Sequence, residues 1–215
     1  MDIQTTLKLV TIYALPMIFA ITLHEAAYGY VARRFGDNTA YVLGRVSLNP
    51  VRHIDPFGTV IFPLLTLLFG GMLFGWAKPV PVNQGQLREP RRHMVWVVLA
   101  GPGANLLMAI MWAILLRVLF SMGQTEGFLW EVSRAGIYVN LVLMVLNLLP
   151  IPPLDGGRVL MNIVPLDIEQ KLARIEPYGI WILLFLLLTK TIQPVIGGGI
   201  NFFYELIRQI VFFGY

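Results

Sequence analysis

Leu23-His24-Glu25-Ala26-Ala27-Tyr28-Gly29-Tyr30 closes a largely apolar run that begins at Leu7. The run is long enough to enter a membrane. A histidine and a glutamate side by side at that depth are costly to bury, which marks them as functional candidates. Residues 7 to about 35 read as one long helix, kinked at Pro16, where the backbone loses a hydrogen bond. His24, Tyr28 and Ala32 share one face, and Glu25 lies about 100° round from His24. Arg33-Arg34 close the helix and Gly36-Asp37-Asn38 stop it. By the positive-inside rule the arginines put that end in the cytoplasm.

Composition agrees with a membrane setting. Of 215 residues, 57% are hydrophobic and 13% charged, and mean hydropathy is +0.71. Soluble domains carry about 25% charged residues. The expectation is an all-α polytopic membrane protein, one domain over residues 1–215, with five or six transmembrane helices. The first run is too long for a signal peptide and lacks a basic start. The chain has no cysteine, which excludes thiol catalysis, thiolate ligands and disulfides. The net charge of +4 fits arginines in cytoplasmic loops. No basic stretch interleaves with aromatics, so no nucleic-acid partner is expected.

Residues 40–48 hold β-branched and aromatic residues around Gly44 and read as one or two short strands. Residues 79–83 read as another extended piece. Either an exposed sheet edge near the active site, open to an extended substrate, or an ordinary ordered loop fits these segments. Phe57 to Trp76 is a 20-residue apolar run with Pro63 and Gly70-Gly71 inside it, flanked by arginines on both sides. That predicts a helix of irregular depth. Membrane helices follow over Met94 to about Phe120 and over Phe128 to Leu149, then around Ile180 to Leu188. Residues 165–176 read as a charged cytoplasmic link. Ile200 to Tyr215, after Gly197-Gly198-Gly199, reads as a last span or an interfacial helix.

The second ionisable anomaly is Asp155, between a proline run and two glycines. A catalytic zinc uses three protein ligands and keeps one open position. His24 and Asp155 can supply ligands from different helices, and Glu25 can act as base. His24-Glu25 is also the first half of the pattern His-Glu-x-x-His, which sets two histidines on one helical face.

On these residues the chain resembles the site-2 protease family of intramembrane zinc metalloproteases, in its short prokaryotic form without a PDZ domain. His24-Glu25-Ala26-Ala27-Tyr28 stands at the family's first motif. Asn147-Leu148-Leu149-Pro150-Ile151-Pro152-Pro153-Leu154-Asp155-Gly156-Gly157 matches its second. Ala100-Gly101-Pro102-Gly103-Ala104-Asn105 and the stretch from Asn49-Pro50 to Asp55-Pro56-Phe57-Gly58 look like further family segments. The resemblance implies one Zn2+ per chain held by His24, Asp155 and the residue at 28, with Glu25 as general base. Asn105 or Asn147 would help hold the substrate carbonyl. It implies a multi-pass protein of the cell membrane, its active site toward the cytoplasm. Its partners would be the lipid bilayer and the transmembrane helix of a membrane-protein substrate, cut in regulated intramembrane proteolysis.

Tyr28 departs from the pattern, which has histidine there. Four readings stand. The family enzyme is inactivated in this chain. Tyr28 ligates zinc as a phenolate, helped by the metal's charge. His53 swings in as the missing ligand, its plainer role being a hydrogen-bonded or substrate-contacting loop residue. Or the protein is a metal-free, catalytically inactive binder of membrane helices. A transporter is a further class, since membrane Asp and His often mark ion paths, but the chain shows no repeat. The serines, Ser47, Ser121 and Ser133, lie in no nucleophile motif.

Overall fold

The computed structural model describes residues 3–61 and 78–212. Helix α1 spans Ile3–Arg34 with Pro16 inside it. A short helix α2 covers Thr39–Val42. A 3-10 turn at Pro50–His53 and a π-helical turn at Pro56–Ile61 follow. Helix α3 is Pro90–Ser121 and α4 is Phe128–Asn147. Four shorter helices complete the chain: α5, Asp155–Ile163; α6, Leu166–Ile175; α7, Gly179–Leu188; and α8, Gln193–Val211.

Three helices among the described residues are long and apolar enough to cross a membrane: Lys8–Arg34, Pro90–Ser121 and Phe128–Asn147. A fourth is possible if the bent pair Leu166–Leu188 and Gln193–Val211, at 86°, counts as one span. Among the described residues five or six spans are not supported. Helix α7 has ten residues, about 15 Å of rise against the roughly 30 Å of a hydrocarbon core. The chain then turns at Lys190, where φ is 60°. The expected link at 165–176 is helical, and the three glycines lie inside α8. Most of the Phe57–Trp76 run falls outside the described residues.

The expected strands are corrected: the described residues contain none. Over 40–48 the backbone closes on itself. Val42 N donates to Asn38 O, and Arg45 N to Ala40 O at 2.8 Å, with Gly44 at φ 64° ending the turn. Val42 is 78% exposed, so no facing chain packs on its β-branched side chain. At 79–83 the donors go to side chains. Val80 N donates to Glu25 and Asn83 N to Asp37, each at 2.7 Å. Pro79 and Pro81 have no N–H to give.

In lipid, helices associate by close packing and polar contacts rather than by apolar burial. Small residues set that closeness here. Ala109 and Ala113 of α3 are wholly buried against Ile137, Leu141, Met144 and Val145 of α4, with Ile207 and Val211 of α8. A Cβ at Gly136 would meet the Trp112 ring at 2.5 Å.

Arg91, in the first turn of α3, holds the far end of α5. Its guanidinium donates to the carbonyls of Met161, Asn162 and Val164 and pairs with Glu169 of α6 at 3.2 Å. A cation suits the carbonyl end of a helix. Arg91→Ala is expected to lower stability by about 1–2 kcal/mol, read as an earlier thermal transition in detergent. Arg91→Lys should recover only part of it, because an ammonium cannot span three carbonyls as a planar fork does.

Candidate metal centre

His24 lies on the face of α1 that meets α3. At position 101 of α3 only a glycine leaves room for its ring, since a Cβ there would stand 2.5 Å from His24 Nε2 and 2.6 Å from Cε1. Behind the ring lies Asn105, also of α3 and fully buried. Asn105 Nδ2 donates to Ala20 O at 3.2 Å and to Asn140 Oδ1 at 3.1 Å. Asn140 Nδ2 in turn donates to Gly136 O at 2.8 Å. Backbone carbonyls only accept, so this chain of bonds fixes both amides. Asn105 Oδ1 therefore faces His24 Nδ1, at 2.7 Å, and the ring proton sits on Nδ1. Nε2 is left with a lone pair.

Asp155 opens α5 at the far side of that lone pair. The two residues after it, in the first turn of α5, admit no side chain: a Cβ at Gly156 or Gly157 would run into the backbone of Leu148 or Pro152. Asp155 Oδ2 lies 3.3 Å from His24 Nε2. It is buried and receives no hydrogen bond. A lone pair thus faces an unpartnered carboxylate oxygen, an arrangement that a proton between them or a metal ion would close.

The spacing suits zinc. Two ligands bound at about 2.0–2.1 Å with tetrahedral geometry stand about 3.3 Å apart. The Asn105 contact to the other ring nitrogen is the support that metal-ligating histidines receive. The third position is Tyr28, one helical turn from His24, its ring centroid 5.1 Å from the imidazole. Its hydroxyl donates a hydrogen bond to Asp155 Oδ1. His24 and Asp155 thus fit a zinc ion, whereas Tyr28 stands as a protonated phenol bound to the carboxylate. Among the described residues no group of three His, Cys, Asp or Glu side chains could hold a metal.

Glu25 lies beside this group. Its Oε2 accepts Val80 N at 2.7 Å, and no hydrogen bond reaches Oε1 among the described residues. Of the other residues expected at the site, Asn105 is present, but its partner is His24. Asn147 bonds within its own helix: its Nδ2 donates to Leu143 O at 2.9 Å. His53 is buried and donates from Nε2 to Ser47 O at 2.8 Å. Asn140, which reads from the sequence as a helix-to-helix hydrogen bond, makes that bond with Asn105, whereas the closeness of Gly101 to His24 and the role of Val80 were missed. For Gly101 a signal existed, in the dense small residues of 100–104. For the Val80 amide there was none, because a backbone donor leaves no mark on the sequence.

The model of peptidase family M50 matches residues 123–189 of the chain, a stretch that contains Asp155. The candidate zinc metalloprotease YwhC of Bacillus subtilis (strain 168) is 38% identical over 208 residues, covering 90% of this chain and 89% of YwhC. The candidate zinc metalloprotease Rip2 of Mycobacterium tuberculosis (strain ATCC 25618 / H37Rv) is 31% identical over 189 residues, 88% of this chain and 71% of Rip2. Rip2 of Mycolicibacterium smegmatis (strain ATCC 700084 / mc(2)155) is 29% identical over 198 residues, 88% of this chain and 69% of the relative. No solved structure matches the chain.

Proposed function

The chain belongs to peptidase family M50, the site-2 proteases, and from that premise we propose an intramembrane zinc endopeptidase scaffold that Tyr28 impairs. The observation that carries this reading is the buried, uncompensated pair of His24 Nε2 and Asp155 Oδ2. His24 and Asp155 would hold the zinc, which when bound supplies a Lewis acid that polarises a peptide carbonyl and acidifies water. Everything else falls to the chain's own groups. Asn105 fixes the ring of His24. The Val80 amide holds one oxygen of Glu25 and leaves the other to take a proton from water.

The substrate class we infer is a transmembrane helix opened locally into an extended form, since a helical peptide bond is shielded by its own hydrogen bonds. His24 lies about 15 Å along the helix axis from Arg34. With Arg33-Arg34 on the cytoplasmic side, cleavage falls within the cytoplasmic half of a multi-pass protein of the cell membrane. A second reading, a membrane-helix binder that does not cut, draws on one observation. The Tyr28 hydroxyl is satisfied by Asp155 as a hydrogen-bond donor, which leaves only two ligands free.

The test is cleavage of a single-span peptide in liposomes. The Tyr28→His chain is expected to cut in the presence of zinc. Adding Glu25→Gln to that variant should remove the activity by at least about 100-fold without removing the zinc. A Tyr28→His chain that binds zinc and captures the peptide yet leaves it whole would favour the binder.

A further inference from the structure

His53 is a second histidine held by a carbonyl, and neither the metal pair nor the proposed base uses it. It is 2% exposed. Ser47 O can only accept, so the ring proton sits on Nε2, the nitrogen 2.8 Å from that oxygen. Nδ1 then carries a lone pair. It is buried, and no hydrogen bond reaches it. Leaving such an acceptor dry and unpaired costs free energy, so the fold presents it to something.

Its location narrows what that is. The turn Pro50–His53 packs on α1, the helix that carries Glu25. The backbone ties the two together. Lys78 N donates to His53 O at 3.0 Å, and Val80 N, two residues on, donates to Glu25 Oε2. No metal group among the described residues includes His53. A buried lone pair on a turn tied to the base through Lys78 and Val80 calls for a donor. An unwound peptide brings donors, because each residue freed from a helix carries an N–H that has lost its acceptor.

We propose that His53 is a substrate-binding residue whose Nδ1 receives a hydrogen bond from a backbone N–H of an extended peptide lying against Glu25. This deepens the peptidase reading and rests on it, for the site must admit an unwound substrate. An intact helix has no free N–H in its interior and gains nothing from His53. The group therefore discriminates between a peptide opened for attack and one still helical.

The experiment compares two fluorescent single-span peptides binding to the full chain in nanodiscs, with Tyr28 as it stands. One is an unbroken leucine-rich helix, and the other carries a Gly-Pro pair in its cytoplasmic third. His53→Gln keeps a donor for Ser47 O but has no acceptor where Nδ1 stood. It is expected to weaken the broken peptide about tenfold and to leave the unbroken one unchanged. His53→Asn, whose Oδ1 stands at the Nδ1 position, should retain the preference for the broken peptide. Equal loss for both peptides, no loss for either, or a parent chain without preference for the broken peptide would each overturn the assignment. Binding is read without metal or cleavage, so failure of the peptidase reading leaves this result legible.

Discussion

Replacing Tyr28 with histidine is expected to raise the zinc content of the purified chain from near zero to about one ion per chain. The present residue blocks the site in two ways. A phenol is a poor ligand while it keeps its proton, and this proton is engaged on Asp155 Oδ1. To bind the metal the phenol would have to lose that proton and then face the carboxylate as a second anion. A neutral imidazole at the same place, one turn from His24, offers a lone pair and frees Asp155. The gain in affinity should exceed about 100-fold, since even losing a group that only supports a ligand costs 10–100-fold. Zinc measured after dialysis against a weak chelator reads the change. A control, Tyr28→Phe, removes the hydroxyl without adding a ligand and is expected to stay free of zinc.

A second large effect is expected from one methyl group. Gly101 and Gly103 lie two residues apart in α3, and by helix propensity alone alanine at either would stabilise by about 1 kcal/mol. The surroundings reverse that at one of them. At Gly101 the new Cβ would stand 2.5 to 2.8 Å from three atoms of the His24 ring. At Gly103 it would meet nothing within 4 Å. Gly101→Ala is therefore expected to destabilise by about 1–3 kcal/mol, as overpacking does, and to push the ring off the line to Asp155. Gly103→Ala should be neutral or mildly stabilising. Melting of the two variants in detergent checks the pair. Equal behaviour would mean that α1 and α3 do not meet as described.

Much of the site was legible because ionisable residues at membrane depth are rare. His24, Glu25 and Asp155 stand out against apolar neighbours, and two of them come together in space. The long helices were legible for a related reason. Over residues 3–34, 90–121 and 128–147 the apolar runs are long enough that no other regular structure satisfies the backbone in lipid. What failed lay in short segments, where sequence pattern is weakest. Tyr41, Val42 and Val46 carry the residue types of a strand, but a ladder needs a partner, and partners are not written locally. At 79–83 an extended piece was expected, and the bonding of its amides to Glu25 and Asp37 was not foreseen. Asn105 was expected to help hold the substrate carbonyl, and its Oδ1 instead faces His24 Nδ1. That the partner is His24 follows from the register of α1 on α3, which Gly101 sets and sequence spacing does not reveal.

The most direct measurement of whether His24 and Asp155 form the metal centre is zinc-edge X-ray absorption on the Tyr28→His chain. The expected spectrum shows about two imidazole nitrogens and a carboxylate oxygen at about 2.0–2.2 Å. Asp155→Ala added to that variant should remove the oxygen contribution together with most of the zinc. A zinc surrounded only by water and surface carboxylates, or one unchanged by Asp155→Ala, would contradict the assignment.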